Sequence, residues 1–295
     1  MPWSRQVTEE QKQEFLPILK TLIEESFDQI EPFLFAHISV QGKSNGTPVT
    51  DADKSTELRL RTKLETLYPR HGIFGEEYGV KEAIGPWPRY RWILDPIDGT
   101  RAFISNSFQF GTLLALECAF SEGESFRPIL SSISFPVAKS WVIGTADTCT
   151  LYRQVGEEVH SCPVHVRDCA SLEEATLLVT SHWTKPEQVG DERFQTLVDR
   201  CKLYRTWGDC FGYFSVATGG SDLMIDPDLS YWDVAALLPV VEGAGGVLTS
   251  CQGGNPLEDL SALCCGSRAV YNEALAILNP CLLYTSDAAD DTPCV

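Results

Sequence analysis

Positive charge is what this sequence has least of: 23 Lys and Arg face 41 Asp and Glu across 295 residues, a formal net charge of −18. Docking on a nucleic acid or an anionic bilayer needs clustered Lys and Arg against the phosphates, so both partners are excluded. Long apolar runs are missing as well. No stretch approaches the ~18 to 20 residues that span a bilayer. The start, Met1-Pro2-Trp3-Ser4-Arg5-Gln6, has no apolar signal-peptide core, so a cytoplasmic protein is expected. The 11 cysteines are scattered and contain no Cys-x-x-Cys pair, which speaks against zinc or a redox dithiol and for reduced, structural thiols. His37, His71, His160, His165 and His182 show no His-Glu-x-x-His or comparable ligand spacing, so transition-metal chemistry has no support. What is present is an ordinary globular composition, 43% hydrophobic and 22% charged, in a chain long enough to bury a large core. If so acidic a chain handles a phosphate, a bound divalent cation is the simplest means of attracting it.

Phe15, Ile18, Leu19, Leu22, Ile23, Phe27 and Ile30 recur at three- and four-residue steps, predicting one long amphipathic helix from residue 8 to about 34. Thr8-Glu9-Glu10-Gln11 reads as its capping box, and Pro17 predicts a kink. After a polar break at residues 41–48, a second helix is predicted from about 55 to 68, burying Leu58, Leu64 and Leu67 and stopped by Pro69 and Gly72. Strands are predicted at 92–94, 110–120, 129–135 and 141–144. The order then becomes strand 175–180, helix 192–201, helix 209–218, strand 222–225, helix 232–242, strands 246–249 and 262–265, and helix 268–278. That alternation is of the α/β kind. The expected division is a helix-plus-antiparallel-sheet half over residues 1–155 and an α/β half over 156–280, with no internal repeat. Residues 281–295 follow Pro280 with no period of either kind and are expected to be a non-native or disordered tail.

Four acidic groups stand where the chain bends or an element ends: Asp51 with Asp53, Glu76 with Glu77, Asp95 with Asp98, and Asp233. In Trp92-Ile93-Leu94-Asp95-Pro96-Ile97-Asp98-Gly99-Thr100 an apolar strand runs into an acid, and Pro96, lacking an N–H, should force the chain out of the sheet. Asp95 and Asp98 then emerge on a turn closed by Gly99, where a cation or a proton must lie between them. Hard divalent cations such as Mg²⁺ want such oxygen ligands. Glu76 and Glu77 could be only an exposed turn, and Asp233 only the acid that a helix N-terminus favours. Thr100 could be a turn hydroxyl or could orient an attacking water.

Taken together, in this order and at these intervals, Gly75-Glu76-Glu77, Trp92 to Thr100 and Trp232-Asp233-Val234-Ala235-Ala236 resemble the inositol monophosphatase-like family of Mg²⁺-dependent, lithium-sensitive phosphatases. The likeness covers roughly residues 8 to 279 and includes Val49-Thr50-Asp51-Ala52-Asp53. Ala102-Phe103-Ile104-Ser105, Phe110 to Leu116, Gly208-Asp209-Cys210 and Pro239 to Gly246 look most like the histidinol-phosphate phosphatase branch. Asn106, where that branch more usually shows glycine, and Trp232, which is closer to the inositol-phosphatase pattern, depart from it.

The resemblance implies a layered α/β/α/β/α sandwich of the sugar-phosphatase type with the metal site between its halves. By motif position, Glu76, Asp95, the Ile97 carbonyl, Asp98 and Asp233 would hold a cluster of two or three Mg²⁺ ions. Asp53 and Thr100 would orient or deprotonate the attacking water, and the Gly99 and Thr100 N–H groups would receive the phosphate, with no covalent phosphoenzyme. Glu77 would stand behind these ligands. For the substrate, Asp226, seven positions before Asp233, could accept an ammonium, and Arg205 matches a substrate-contacting arginine of the histidinol branch. The expected activity is hydrolysis of L-histidinol phosphate in histidine biosynthesis by a homodimer. Inositol monophosphate, a sugar phosphate or a 3′-phosphoadenosine compound are alternative substrates, and a regulatory binding protein is an alternative of another class.

Overall fold

A computed structural model describes residues 2–34, 40–42, 48–182 and 191–280. His37, part of the polar break and the tail at 281–295 lie outside the described residues. The first half contains α1 (Glu9–Ile30), β1 (Val40–Gly42), β2 (Pro48–Thr50), α2 (Asp51–Leu67), β3 (Gly72–Gly75), β4 (Gly79–Lys81), β5 (Arg89–Asp98), α3 (Thr100–Ile104), β6 (Gly111–Ala119), β7 (Arg127–Phe135), β8 (Ser140–Thr145), β9 (Cys149–Val155) and β10 (Glu158–Pro163). The second contains β11 (Thr176–Val179), α4 (Asp191–Arg200), β12 (Leu203–Arg205), α5 (Asp209–Ala217), β13 (Leu223–Asp226), α6 (Tyr231–Gly243), β14 (Val247–Thr249), α7 (Pro256–Asp259), β15 (Ala262–Cys265) and α8 (Arg268–Leu278).

Eight strands form the larger sheet in the order β10-β9-β8-β7-β6-β5-β3-β4, antiparallel throughout except for β3 against β5. This sheet runs on to Pro163, beyond the change-over placed near residue 155. The smaller sheet has the order β12-β11-β13-β15-β14 and mixes parallel and antiparallel pairs. Stacked between helices, the two sheets give the five layers: α1 and α2, the large sheet, α5 and α6, the small sheet, then α4 and α8. Three buried clusters fill the spaces between layers.

The outer layer follows from helical periodicity. Thr8 caps α1 in the expected box with Gln11, and Phe15, Leu19, Leu22, Ile23 and Ile30 are fully buried, each contributing roughly 1.5 to 3 kcal/mol. The helix continues through Pro17. α2 differs from expectation. It starts at Asp51 because Thr50 caps it, its hydroxyl accepting the Ala52 N–H at 3.2 Å. Its buried face carries Asp53, Thr56, Glu57 and Arg61 beside Leu60 and Leu64, whereas Leu58 and Leu67 are 53% and 44% exposed. α6 is apolar nearly all round, as a helix sandwiched between two sheets must be, and its acids stand near its ends, at Asp233 and Glu242. Of the 11 cysteines, the nine described are all free. Among the described residues no helix is long and apolar enough to cross a membrane.

Candidate metal centre and active site

β5 delivers the first two acids. Trp92, Ile93 and Leu94 are fully buried, so the strand carries Asp95 into the core, where its Oδ1 accepts the Ile97 N–H at 3.1 Å. The chain does not leave the sheet at Pro96 as expected: β5 continues to Asp98, which pairs with Gly111. A register irregularity between Asp95 and Asp98 absorbs the missing proline donor, and such bulges re-aim side chains at strand ends. Asp98 Oδ2 accepts the Cys210 N–H at 2.5 Å, at the positive end of α5. Asp233, the third residue of α6, accepts the Ser230 N–H at 2.8 Å. One carboxylate oxygen from each of Asp95, Asp98 and Asp233 lies within 4.8 Å of the other two. Glu76 follows β3, and its N–H bonds the Leu94 carbonyl at 3.1 Å, next to Asp95.

Burial raises all three aspartates, and neighbouring acids add to it. Asp95 stands well above the ordinary range through burial and then the charges of Glu76, Asp98 and Asp233. Asp98 and Asp233 are each pushed up to about 7, mainly by burial. Carboxylates this close cannot all ionise unless a cation or a proton lies among them. An all-oxygen donor set with excess negative charge, Asp95 buried and Asp98 and Asp233 half-buried, fits a hard divalent cation such as Mg²⁺, which would take the place of such a proton.

Beside this cluster stand Asp53 and Thr100. Thr50 directs its hydroxyl and its N–H to Asp53 Oδ2, at 2.5 and 2.8 Å. Asp53 Oδ1 is left facing Thr100 Oγ1 at 3.4 Å, and the Thr100 hydroxyl also reaches the Ile97 carbonyl at 3.1 Å. Burial raises Asp53 despite the two bonds from Thr50 that favour its anion. Gly99 makes the turn between the strand and α3 at φ +80°, and a Cβ there would sit 3.1 Å from Asp209 Oδ2.

Two groups the sequence reading left without a role belong to the site. Asp209 opens α5 at a left-handed φ of 48°, its N–H donating to Thr180 Oγ1 at 2.9 Å, and burial with the Asp98 charge pushes it to about 7. Its motif, Gly208-Asp209-Cys210, was legible, and the acid in it was the available signal. Glu57, fully buried on α2, accepts the Glu77 N–H at 2.7 Å, the Tyr78 N–H at 3.2 Å and Arg61 Nε at 2.7 Å, and so holds the turn that carries Glu76 and Glu77. An acid four residues before an arginine on a helix was the only hint of it.

Asp226 ends β13 with 4% exposure, accepting the Tyr213 hydroxyl at 2.9 Å, and burial pushes it to about 7. Its field reaches Asp209 and Asp233, so it extends the row of acids beyond the triad. Arg205 is not brought to that row by any described contact. It lies exposed on β12 and donates to the Tyr204 carbonyl at 2.7 Å.

Residues 6–282 match the inositol monophosphatase family. A histidinol-phosphatase of Chlorobaculum parvum is 31% identical over 245 residues, 82% of this chain and 87% of that protein. One from Streptomyces coelicolor is 32% identical over 253 residues, 85% of this chain and 91% of that protein. An inositol monophosphatase structure from Zymomonas mobilis superimposes with a TM-score of 0.74 at 31% identity, covering 90% of this chain and 98% of the other. With the family matched over nearly its whole length and its acids gathered as described, the chain belongs to the inositol monophosphatase family.

Proposed function

We propose that the protein is a Mg²⁺-dependent phosphomonoester hydrolase whose substrate is L-histidinol phosphate. The observation that carries the hydrolase reading is the triad of a buried Asp95 with the half-buried Asp98 and Asp233, set beside the Asp53–Thr100 pair. Glu76, Asp95, the Ile97 carbonyl, Asp98 and Asp233 would hold the ions. Bound there, Mg²⁺ supplies Lewis-acid neutralisation of the phosphate and of the charge that develops during in-line displacement.

The chain's own groups do the rest. Thr100 donates its hydroxyl hydrogen toward Asp53 and presents its lone pairs to a water, fixing that water's orientation. As the water oxygen forms its bond to phosphorus, its proton passes by way of Thr100 to Asp53, whose raised affinity for protons suits it to receive one. The ester P–O bond breaks, and the departing alcohol oxygen takes a proton from solvent. Gly99 and Thr100 N–H groups receive phosphate oxygens at the bend that the left-handed Gly99 makes.

Asp209 and Asp226 support the choice of histidinol phosphate, as do the relatives of that name. Two acids beyond the proposed metal ligands, the half-buried Asp209 and the buried Asp226, would attract an ammonium group, which histidinol phosphate carries and a neutral polyol phosphate does not. Asp226→Ala should raise KM for histidinol phosphate by about tenfold or more, one lost charge-assisted bond, and change KM for an aryl phosphate far less. Equal loss on both substrates would remove Asp226 from recognition.

A further inference from the structure

Behind the metal centre lies a buried charged node that takes no part in the chemistry above. Arg91, on β5, faces Glu117 directly across the β5–β6 pair and donates from Nε to Glu117 Oε2 at 2.8 Å. The Tyr231 hydroxyl, from the first residue of α6, donates to Glu117 Oε1 at 2.5 Å and lies 3.0 Å from Arg91 Nη2. Glu117 is fully buried, so its charge must be met inside the protein, and Arg91 and Tyr231 meet it. The guanidinium also lies over the rings of Phe126, Tyr231 and Phe74, at 4.7, 5.3 and 5.6 Å. Phe74 stacks on Tyr231 and meets Trp232 edge-on, both at 5.6 Å between centroids.

Three of the elements meeting here, β3, β5 and α6, carry the acids. Phe74 is on β3, whose end leads into Glu76. Arg91 stands four residues before Asp95 on β5, an even step that puts both on one face of the strand. Tyr231 and Trp232 open the turn of α6 that contains Asp233. A buried bidentate acid and a cation over three rings have one good arrangement, so this node fixes β3, β5 and the start of α6 relative to one another.

We infer that Arg91, Glu117 and Tyr231 are positioning residues for the metal centre: through Phe74 they set the spacing of Glu76, Asp95 and Asp233, and thereby the affinity for Mg²⁺. The inference rests on the proposed ligand set. Tyr231→Phe is the informative variant, because it removes only the hydroxyl, which donates to Glu117 and accepts from Arg91 Nη2, and leaves the ring packing and the Arg91–Glu117 pair in place. Mg²⁺ binding to the metal-stripped full chain would be measured by isothermal titration calorimetry, with the metal-free thermal transition recorded alongside.

The expected result is a five- to tenfold weaker Mg²⁺ dissociation constant in Tyr231→Phe, about 1 to 1.4 kcal/mol. The Mg²⁺ concentration for half-maximal phosphatase activity should rise in parallel, with kcat at saturating Mg²⁺ within about twofold of the parent. Phe74→Leu, which leaves every hydrogen bond of the node intact but removes the ring joining β3 to α6, should weaken Mg²⁺ in the same direction. Unchanged Mg²⁺ affinity in both variants, whatever their thermal transitions, overturns the inference and leaves the ligand set standing. Absence of Mg²⁺ binding in the parent protein overturns the ligand set and the inference with it.

Discussion

At the scale of single residues, the site is a collection of carboxylates kept from ionising by burial and by one another. Asp98, Asp209, Asp226 and Asp233 are each raised from the ordinary aspartate value of 3.8 to about 7. Between these limits the folded, metal-free protein holds protons that the unfolded chain has released, so its stability falls as pH rises from about 4 to about 7. Each group contributes a slope of at most ~1.4 kcal/mol per pH unit. Mg²⁺ binds the ionised forms, and the rise in melting temperature it causes should therefore grow across the same window, as thermal scans from pH 5 to 8 with and without Mg²⁺ would record. A Mg²⁺ shift that shrinks with rising pH would contradict the assignment. His71 works in the opposite sense: burial lowers it to about 4 and its Nδ1 accepts from Trp92 Nε1 at 3.2 Å, so as pH falls from 6.5 to about 4 the unfolded chain takes up a proton that the fold does not, and stability falls. Asp98→Asn isolates the repulsion. It should abolish most activity, by ~100-fold or more, while the metal-free melting temperature stays level or rises because a buried like charge has gone. Near-normal turnover in that variant would remove Asp98 from the ligand set.

At the scale of elements, each acid is placed by a strand end or a first helical turn, and the placements depend on close backbone approach. Gly75 is the tightest case: a Cβ there would lie 2.0 Å from Glu57 Oε1, the carboxylate that holds the Glu77 and Tyr78 N–H groups. Gly75→Ala should cost ~2 to 4 kcal/mol in chemical denaturation, since Glu57 must move and leave buried donors unpaired. Activity should fall more than the lost stability explains, because the same turn presents Glu76. Parent-like stability would show that α2 yields there without strain. The same helix explains what was hard to read in advance. α1 was legible because its buried face is apolar and strictly periodic, and Thr8 announced its start. α2 misled because its buried face carries Asp53, Glu57 and Arg61, placed there for the site rather than for the core, while Leu58 and Leu67 point outward. The Asp95-Pro96-Ile97-Asp98 segment was legible as a pair of acids at a strand end, yet the bulge that lets β5 continue past Pro96 depends on its pairing with β6. β12 and α7, of three and four residues, are too short for any period to announce them. Asp209 and Asp226 become neighbours of the triad only when α5 packs against α6, β6 and β13, a proximity that no local pattern encodes.

At the scale of the molecule, a chain of net charge −18 must attract a phosphate against its own field. The five-layer fold answers this by gathering acids from both halves: β3 and β5 bring Glu76, Asp95 and Asp98 from the large-sheet layer, and α6 brings Asp233 from the helical layer beneath it. In the proposed reading, a cation held there would reverse the local sign, and the acids left over, Asp209 and Asp226, would distinguish a cationic phosphomonoester from a neutral one. The central claim is therefore both metal dependence and substrate preference, and one measurement addresses both. Phosphate release would be followed for histidinol phosphate, myo-inositol 1-phosphate, fructose 1,6-bisphosphate and 3′-phosphoadenosine 5′-phosphate, with Mg²⁺ and after its removal by chelation. The predicted result is turnover only with Mg²⁺ and a kcat/KM for histidinol phosphate about 100-fold or more above the others, the scale on which a site built around charged partners discriminates. A flat profile, a preference for a neutral polyol phosphate, or turnover that survives chelation would contradict it.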